Sequence, residues 1–205
     1  MVAKLLSYEG STGNTAVLLV SDSNEGYNFE AATAQLRNFI PAEFRVEEID
    51  RGRLDPATAK AQLLDAINRG EKIVAYTGHG NVDQWRGNLL TSADARALTN
   101  GPNLPLFITM TCLNGYFHDV VLDSLAESLM KAERGGAVAV WASSGMTGPS
   151  GQELLDQQML KAIFDTSSGR ALTLGEAILR AKALTNDPDV RRTWILFGDP
   201  SMRLK

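Results

Sequence analysis

Short apolar runs alternate with longer segments in which apolar residues recur every three or four positions, and this alternation extends along the chain. The first run, residues 16–20, breaks off at the polar loop Ser21-Asp22-Ser23-Asn24-Glu25-Gly26. Phe29, Ala32, Leu36 and Phe39 then fall at helical spacing, and Pro41 stops that helix. Residues 44–49 alternate as a half-buried strand. Asp55 is placed to cap the next helix, with Pro56 at its first position and Gly70 just past its end. Residues 72–76 predict a third strand closed by Gly78-His79-Gly80, and residues 106–111 a fourth closed by Cys112-Leu113-Asn114-Gly115. A helix starts at Asp123 or Ser124 and gives way at Gly135-Gly136 to a fifth, continuously apolar strand over residues 137–142. After a loop over 143–151 come a helix over 152–164, a helix opened by the capping box Thr173-x-x-Glu176, and a last strand over 194–197. Strands that are apolar throughout, alternating with helices, predict a three-layer α/β domain. Its sheet of about six strands is mostly parallel and covered by helices on both faces.

Composition narrows the function classes. A chain of 205 residues, 44% hydrophobic and 21% charged, fits one globular domain over residues 1–205. A formal net charge of -4 with no basic run gives no reason to expect nucleic acid as a partner. No apolar stretch reaches membrane-spanning length, and the first residues lack the apolar run of a secretory signal peptide. Cys112 is the single cysteine, so no disulfide forms within the chain and a four-thiolate metal site is excluded. His79 and His118 are the two histidines, neither in a metal-binding spacing, so no metal or other cofactor is expected to carry the chemistry.

In open α/β sheets, sites form beyond the carboxyl ends of the strands. His79 stands just past the third predicted strand and Cys112 just past the fourth, so parallel neighbours would bring both to one edge. A thiol attacks as the thiolate, and an imidazole takes its proton and returns one to a leaving amine. Gly80 and Cys112 offer backbone N–H groups for the oxyanion that such an attack creates. Plainer readings exist: a lone cysteine at a strand end is often a small buried hydrophobe, and Gly-His-Gly alone is a turn. His118 lies in a loop with no strand before it and reads as a solvated surface histidine.

The blocks Tyr76-Thr77-Gly78-His79-Gly80, Trp85, Leu98-Thr99-Asn100, Leu104-Pro105 and Cys112-Leu113-Asn114-Gly115-Tyr116-Phe117 resemble the gingipain family of cysteine peptidases. Gly136-Ala137-Val138-Ala139, Ala142-Ser143 and Trp194 with Phe197-Gly198-Asp199-Pro200 extend the resemblance over nearly the whole chain. The resemblance implies a caspase-like fold, a His79–Cys112 dyad and peptide hydrolysis through a thioester. It implies that Asp22, after the first strand, orients the imidazole; Asp83 is the rival, and Asp22 also reads as a loop-capping residue. It places the substrate pocket against Ser143, Ser144, Met146 and Asn28; the Ser and Met types themselves suggest a small or moderately apolar pocket, unless Asp22, Glu25 or Glu153 projects inward. It further implies a catalytic domain excised from a larger secreted protein, with other domains of the parent chain as partners and an extracellular or cell-surface location. Family calcium dependence carries over only as a structural calcium with no assignable ligands. Two alternatives stand beside the endopeptidase: a sortase-like transpeptidase of the same family and a non-catalytic caspase-like interaction module.

Overall fold

The computed structural model describes residues 2–167 and 169–205. In chain order the elements are α1 (Val2–Glu9), β1 (Ala16–Ser21), α2 (Phe29–Leu36), β2 (Arg45–Asp50), α3 (Pro56–Arg69), β3 (Ile73–Thr77) and α4 (Ser92–Ala97). They continue with β4 (Leu106–Met110), α5 (Leu125–Lys131), β5 (Ala139–Ser143), α6 (Pro149–Ile163), α7 (Leu174–Ala183), α8 (Pro188–Thr193) and β6 (Trp194–Phe197). The strands form one six-stranded sheet in the order β2-β1-β3-β4-β5-β6. All neighbours run parallel except β6, which pairs antiparallel with β5.

The period-two geometry of a strand explains why the central runs are apolar throughout. Val17 and Leu19 of β1, Ile73 and Ala75 of β3 and Ile108 of β4 face a core closed by Leu155 and Met159 of α6 and Ala177 of α7. The intervening Leu18, Val20, Val74, Tyr76 and Phe107 face a second core closed by Leu63 and Ile67 of α3 and Leu129 of α5. Each sheet face thus buries its own layer, and the architecture is the three-layer α/β one the alternation predicts.

Local signals set the helix ends. Asp55 accepts from the N–H groups of Ala57 and Thr58 ahead of Pro56, and Gly70 follows the helix at φ 99°, where a side chain would be strained. Thr173 and Glu176 close a reciprocal capping box, and so do Ser124 and Glu127. Three short helices escape the periodicity. Tyr8 is the buried residue of α1 and Val190 that of α8, while α4 buries just Ser92 and Ala95, too few apolar positions to trace a stripe. The fifth strand starts two residues later than predicted. The N–H groups of Ala137 and Val138 are drawn to Leu129 and Pro105 instead of the ladder.

Candidate active site

The ladder between β3 and β4 sets the site. Thr77 pairs with Met110, and two residues further along each strand stand His79 and Cys112. Beyond the last rung the two chains stay together, because the Gly78 N–H donates to the Met110 carbonyl at 3.2 Å. Glycine flanks His79 for steric reasons. A Cβ on Gly78 would lie 2.4 Å from the Cβ of Asp22, and one on Gly80 2.8 Å from the Thr111 hydroxyl. The parallel register therefore brings His79 and Cys112 to the same edge of the sheet, with Thr111 and Gly80 packed between their segments.

His79 is held mainly by its backbone. Its N–H donates to Asp22 Oδ2 at 3.1 Å, and its carbonyl accepts from the Tyr76 hydroxyl at 2.7 Å and the Arg86 N–H at 2.9 Å. Burial pushes the Tyr76 phenol well above its ordinary range, which keeps it a proton donor to that carbonyl. The exposed imidazole packs edge-on against Phe29, with ring centroids 5.0 Å apart at 78°. Its Nε2 faces the backbone carbonyl of Glu25 at 3.4 Å.

Asp22 has other partners in this structure than the imidazole ring. Instead of the imidazole, its carboxylate takes the His79 backbone N–H, the Ser23 N–H at 2.8 Å and the Arg51 guanidinium at 2.6 Å. The cause is position: Asp22 is fully buried beneath the His79 segment, and the ring extends outward over Phe29. Arg51 belongs to no motif in the sequence, and its signal lies in the register. Ser21 pairs with Asp50, so Asp22 and Arg51 leave adjacent strand ends together. Asp83, the rival, sits in a turn where its N–H donates to Asn81 Oδ1 and its carbonyl accepts from Ser92.

Cys112 is half-buried and unpaired. Its Sγ lies 3.6 Å from the Thr147 carbonyl, which also accepts from Gln152 Nε2 at 3.0 Å. Leu113 then adopts φ 62°, a left-handed conformation uncommon for a branched side chain. That turn aims its N–H at the Gly145 carbonyl, 3.2 Å away, bracing the cysteine loop against the loop after β5. Among the described residues, neither the Gly80 N–H nor the Cys112 N–H is taken by a backbone acceptor.

The residues expected to wall the pocket divide. Ser143 is fully buried, and its hydroxyl lies 3.0 Å from both the Gly145 carbonyl and the Thr193 hydroxyl, which engages it within the turn. The Ser144 hydroxyl likewise donates to the Thr193 carbonyl at 3.0 Å. Met146 projects into solvent at 77% exposure, free to cover a bound chain. Asn28 caps α2, accepting from the Ala31 N–H at 3.0 Å. His118 is exposed and stacks on Phe117, as a surface histidine would.

The three nearby carboxylates are all engaged: Asp22 by Arg51, Glu25 by Arg86 and Glu153 by the Tyr27 hydroxyl. Among the described residues, no group of three or more His, Cys, Asp or Glu is placed to hold a metal ion. No helix among them is long and apolar enough to cross a membrane.

Known proteins are similar to this chain in sequence and fold. The profile of Peptidase family C25 matches residues 1–205. Gingipain R2 of Porphyromonas gingivalis is 29% identical over 163 residues, 74% of this chain and 22% of the relative. Lys-gingipain of the same organism is 33% identical over 78 residues, 38% of this chain and 4% of the relative. Among solved structures, the Arg-specific cysteine proteinase gingipain R superposes with a TM-score of 0.85 at 21% identity, covering 100% of this chain and 52% of that one. The complex of the pro- and mature domains of Porphyromonas gingivalis RgpB gives 0.82 at 20% identity, covering 53% of its chain. The chain thus spans about a fifth of the curated gingipain R2 and about half of the solved gingipain chains. With the profile matched from end to end and the His79 and Cys112 segments joined at one sheet edge, this chain belongs to peptidase family C25, the gingipain-type cysteine peptidases.

Proposed function

We propose that this domain hydrolyses peptide bonds as a cysteine endopeptidase, with Cys112 as nucleophile and His79 as acid and base. The observation that supports this reading is the β3–β4 register, in which Thr77 pairs with Met110 two residues before His79 and Cys112 at one sheet edge. With Nε2 turned to the Glu25 carbonyl, Nδ1 is the nitrogen left for the thiol. The Cys112 sulfur attacks the scissile carbonyl carbon as its proton passes to His79. The resulting oxyanion is met by the N–H groups of Gly80 and Cys112. As the carbonyl re-forms, the C–N bond breaks and His79 protonates the leaving amine. Water then attacks the thioester, giving a proton to His79; the C–S bond breaks, and the thiol recovers that proton. Both chemical groups are side chains of this chain, so the scheme draws on no cofactor.

Substrates are peptides or proteins, and the engaged carboxylates favour cleavage after small or moderately apolar residues. The relatives carry Arg-specific and Lys-gingipain in their names, which makes basic specificity the competing outcome. We place the domain within a longer parent chain, in keeping with its coverage of those relatives, and at the cell surface or outside the cell, as the family resemblance implies. The deciding experiment is a peptide-library digest with wild type, Cys112→Ala and His79→Ala. Neither residue fills much core volume, so both variants should fold yet lose cleavage. Wild-type turnover in either variant would end the proposal.

A further inference from the structure

The mechanism leaves one fully buried polar side chain of the cysteine loop without a role. Asn114, two residues past Cys112, is 0% exposed, yet its amide spans the gap to the histidine loop. Its Nδ2 donates to the Asn81 carbonyl at 2.6 Å and lies 3.4 Å from the Gln84 carbonyl. Its Oδ1 accepts from the Trp85 indole N–H at 3.0 Å. The Asn114 backbone takes part as well, its carbonyl accepting from the Ala126 N–H at 3.0 Å at the start of α5.

These partners lead back to His79. Gly80 and Trp85 face each other across a narrow antiparallel bridge, so Asn114 grips both limbs of the turn that starts at the histidine. The Trp85 indole stacks on Tyr76 with centroids 4.1 Å apart at 8°, and the Tyr76 hydroxyl donates to the His79 carbonyl. A carboxamide is the side chain suited to this place, since it must donate to carbonyls at one end and accept an indole N–H at the other. Aspartate would turn an acceptor toward Asn81, and serine would fall short of one partner.

We propose that Asn114 is a positioning residue that fixes the separation and mutual orientation of His79 and Cys112 by tying their loops together; this rests on the dyad reading above. A dyad misplaced by about 1 Å loses on the order of 10²-fold in turnover, and substrate contacts made elsewhere are largely spared.

The test compares wild type with Asn114→Ser, Asn114→Asp and Trp85→Phe, using a peptide substrate selected by library digest and alkylation by iodoacetamide across pH. Thermal melts and circular dichroism select variants folded at the assay temperature. Asn114→Ser and Asn114→Asp should lower kcat by about 10- to 100-fold with little change in KM. Their alkylation profile should move to higher pH, because a displaced imidazole no longer draws the thiol proton. Trp85→Phe removes the indole N–H that Asn114 Oδ1 accepts and keeps a ring against Tyr76, so its alkylation profile should shift in the same direction by less than that of Asn114→Asp, and it holds the proposal open to refutation if both Asn114 variants fail to fold. In that event a wild-type alkylation profile in Trp85→Phe, despite loss of the indole N–H, refutes the link. Folded Asn114 variants with unchanged kcat and alkylation overturn it directly. Failure of the dyad reading shows separately, as cleavage that survives Cys112→Ala.

Discussion

Asp22 holds His79 by the main chain: its carboxylate accepts the His79 backbone N–H at 3.1 Å while the Arg51 guanidinium occupies its other oxygen at 2.6 Å. The carboxylate is fully buried and the Arg51 side chain 16% exposed, so neither charge is well solvated without the other. Removing one partner of such a pair strands the other and typically costs about 3–5 kcal/mol. Arg51→Ala should therefore lower stability by about that amount, read by chemical denaturation, and should reduce turnover as the His79 segment loosens. Asp22→Asn should lose stability and kcat together. A variant of normal stability whose activity alone changed with pH would instead return Asp22 to the imidazole.

Glycine at position 80 is a steric requirement. A Cβ there would lie 2.8 Å from the Thr111 hydroxyl and 2.9 Å from the Gln84 carbonyl, and the second contact is with backbone that has little room to yield. Gly80→Ala should shift an oxyanion donor and lower kcat by about 10²–10³-fold, the usual cost of losing one such group. Steady-state kinetics with KM near wild type would match this, and unchanged kcat would remove Gly80 from the oxyanion site.

Arg86 pairs with Glu25, an exposed carboxylate whose backbone carbonyl faces the His79 ring. Arg86→Ala should free that charge and improve kcat/KM for substrates with Lys or Arg next to the scissile bond. Exposed pairs are worth up to about 1 kcal/mol, so the gain should be about fivefold and should fade with salt. A library digest of the variant that matched wild type would place Glu25 outside the reach of substrate.

Stability should fall as the solution becomes more alkaline, through Asp156. This residue of α6 is buried, neither of its oxygens has a hydrogen-bond partner, and burial pushes its carboxyl up to about 8. The unfolded chain releases this proton near pH 4, as an ordinary aspartate does, while the folded protein retains it. Between about pH 4 and about 8 the folded state thus binds the extra proton, so its stability declines as pH rises through that window. Asp156→Asn should flatten the decline and melt at a higher temperature than wild type above about pH 6. Parallel melting profiles for the two proteins would assign the pH dependence to other groups.

The amino-acid sequence determined the strands, the longer helices and the kind of chemistry. Period and capping marked all six strands and the long helices, because burial on both sheet faces requires unbroken apolar runs and free helix ends require Asp55, Ser124 and Thr173. Residue types marked a thiol and an imidazole at strand ends. The short helices α1, α4 and α8 were missed because one or two buried residues carry no measurable period. Only the tertiary structure decided the partners. Asp22 meets a backbone N–H 57 residues away, and Asn114 meets an indole 29 residues away. Hydrogen bonds of that separation depend on which strands lie side by side and in what register, and hydrophobic patterning reports which face is buried without reporting which neighbour a polar group finds there.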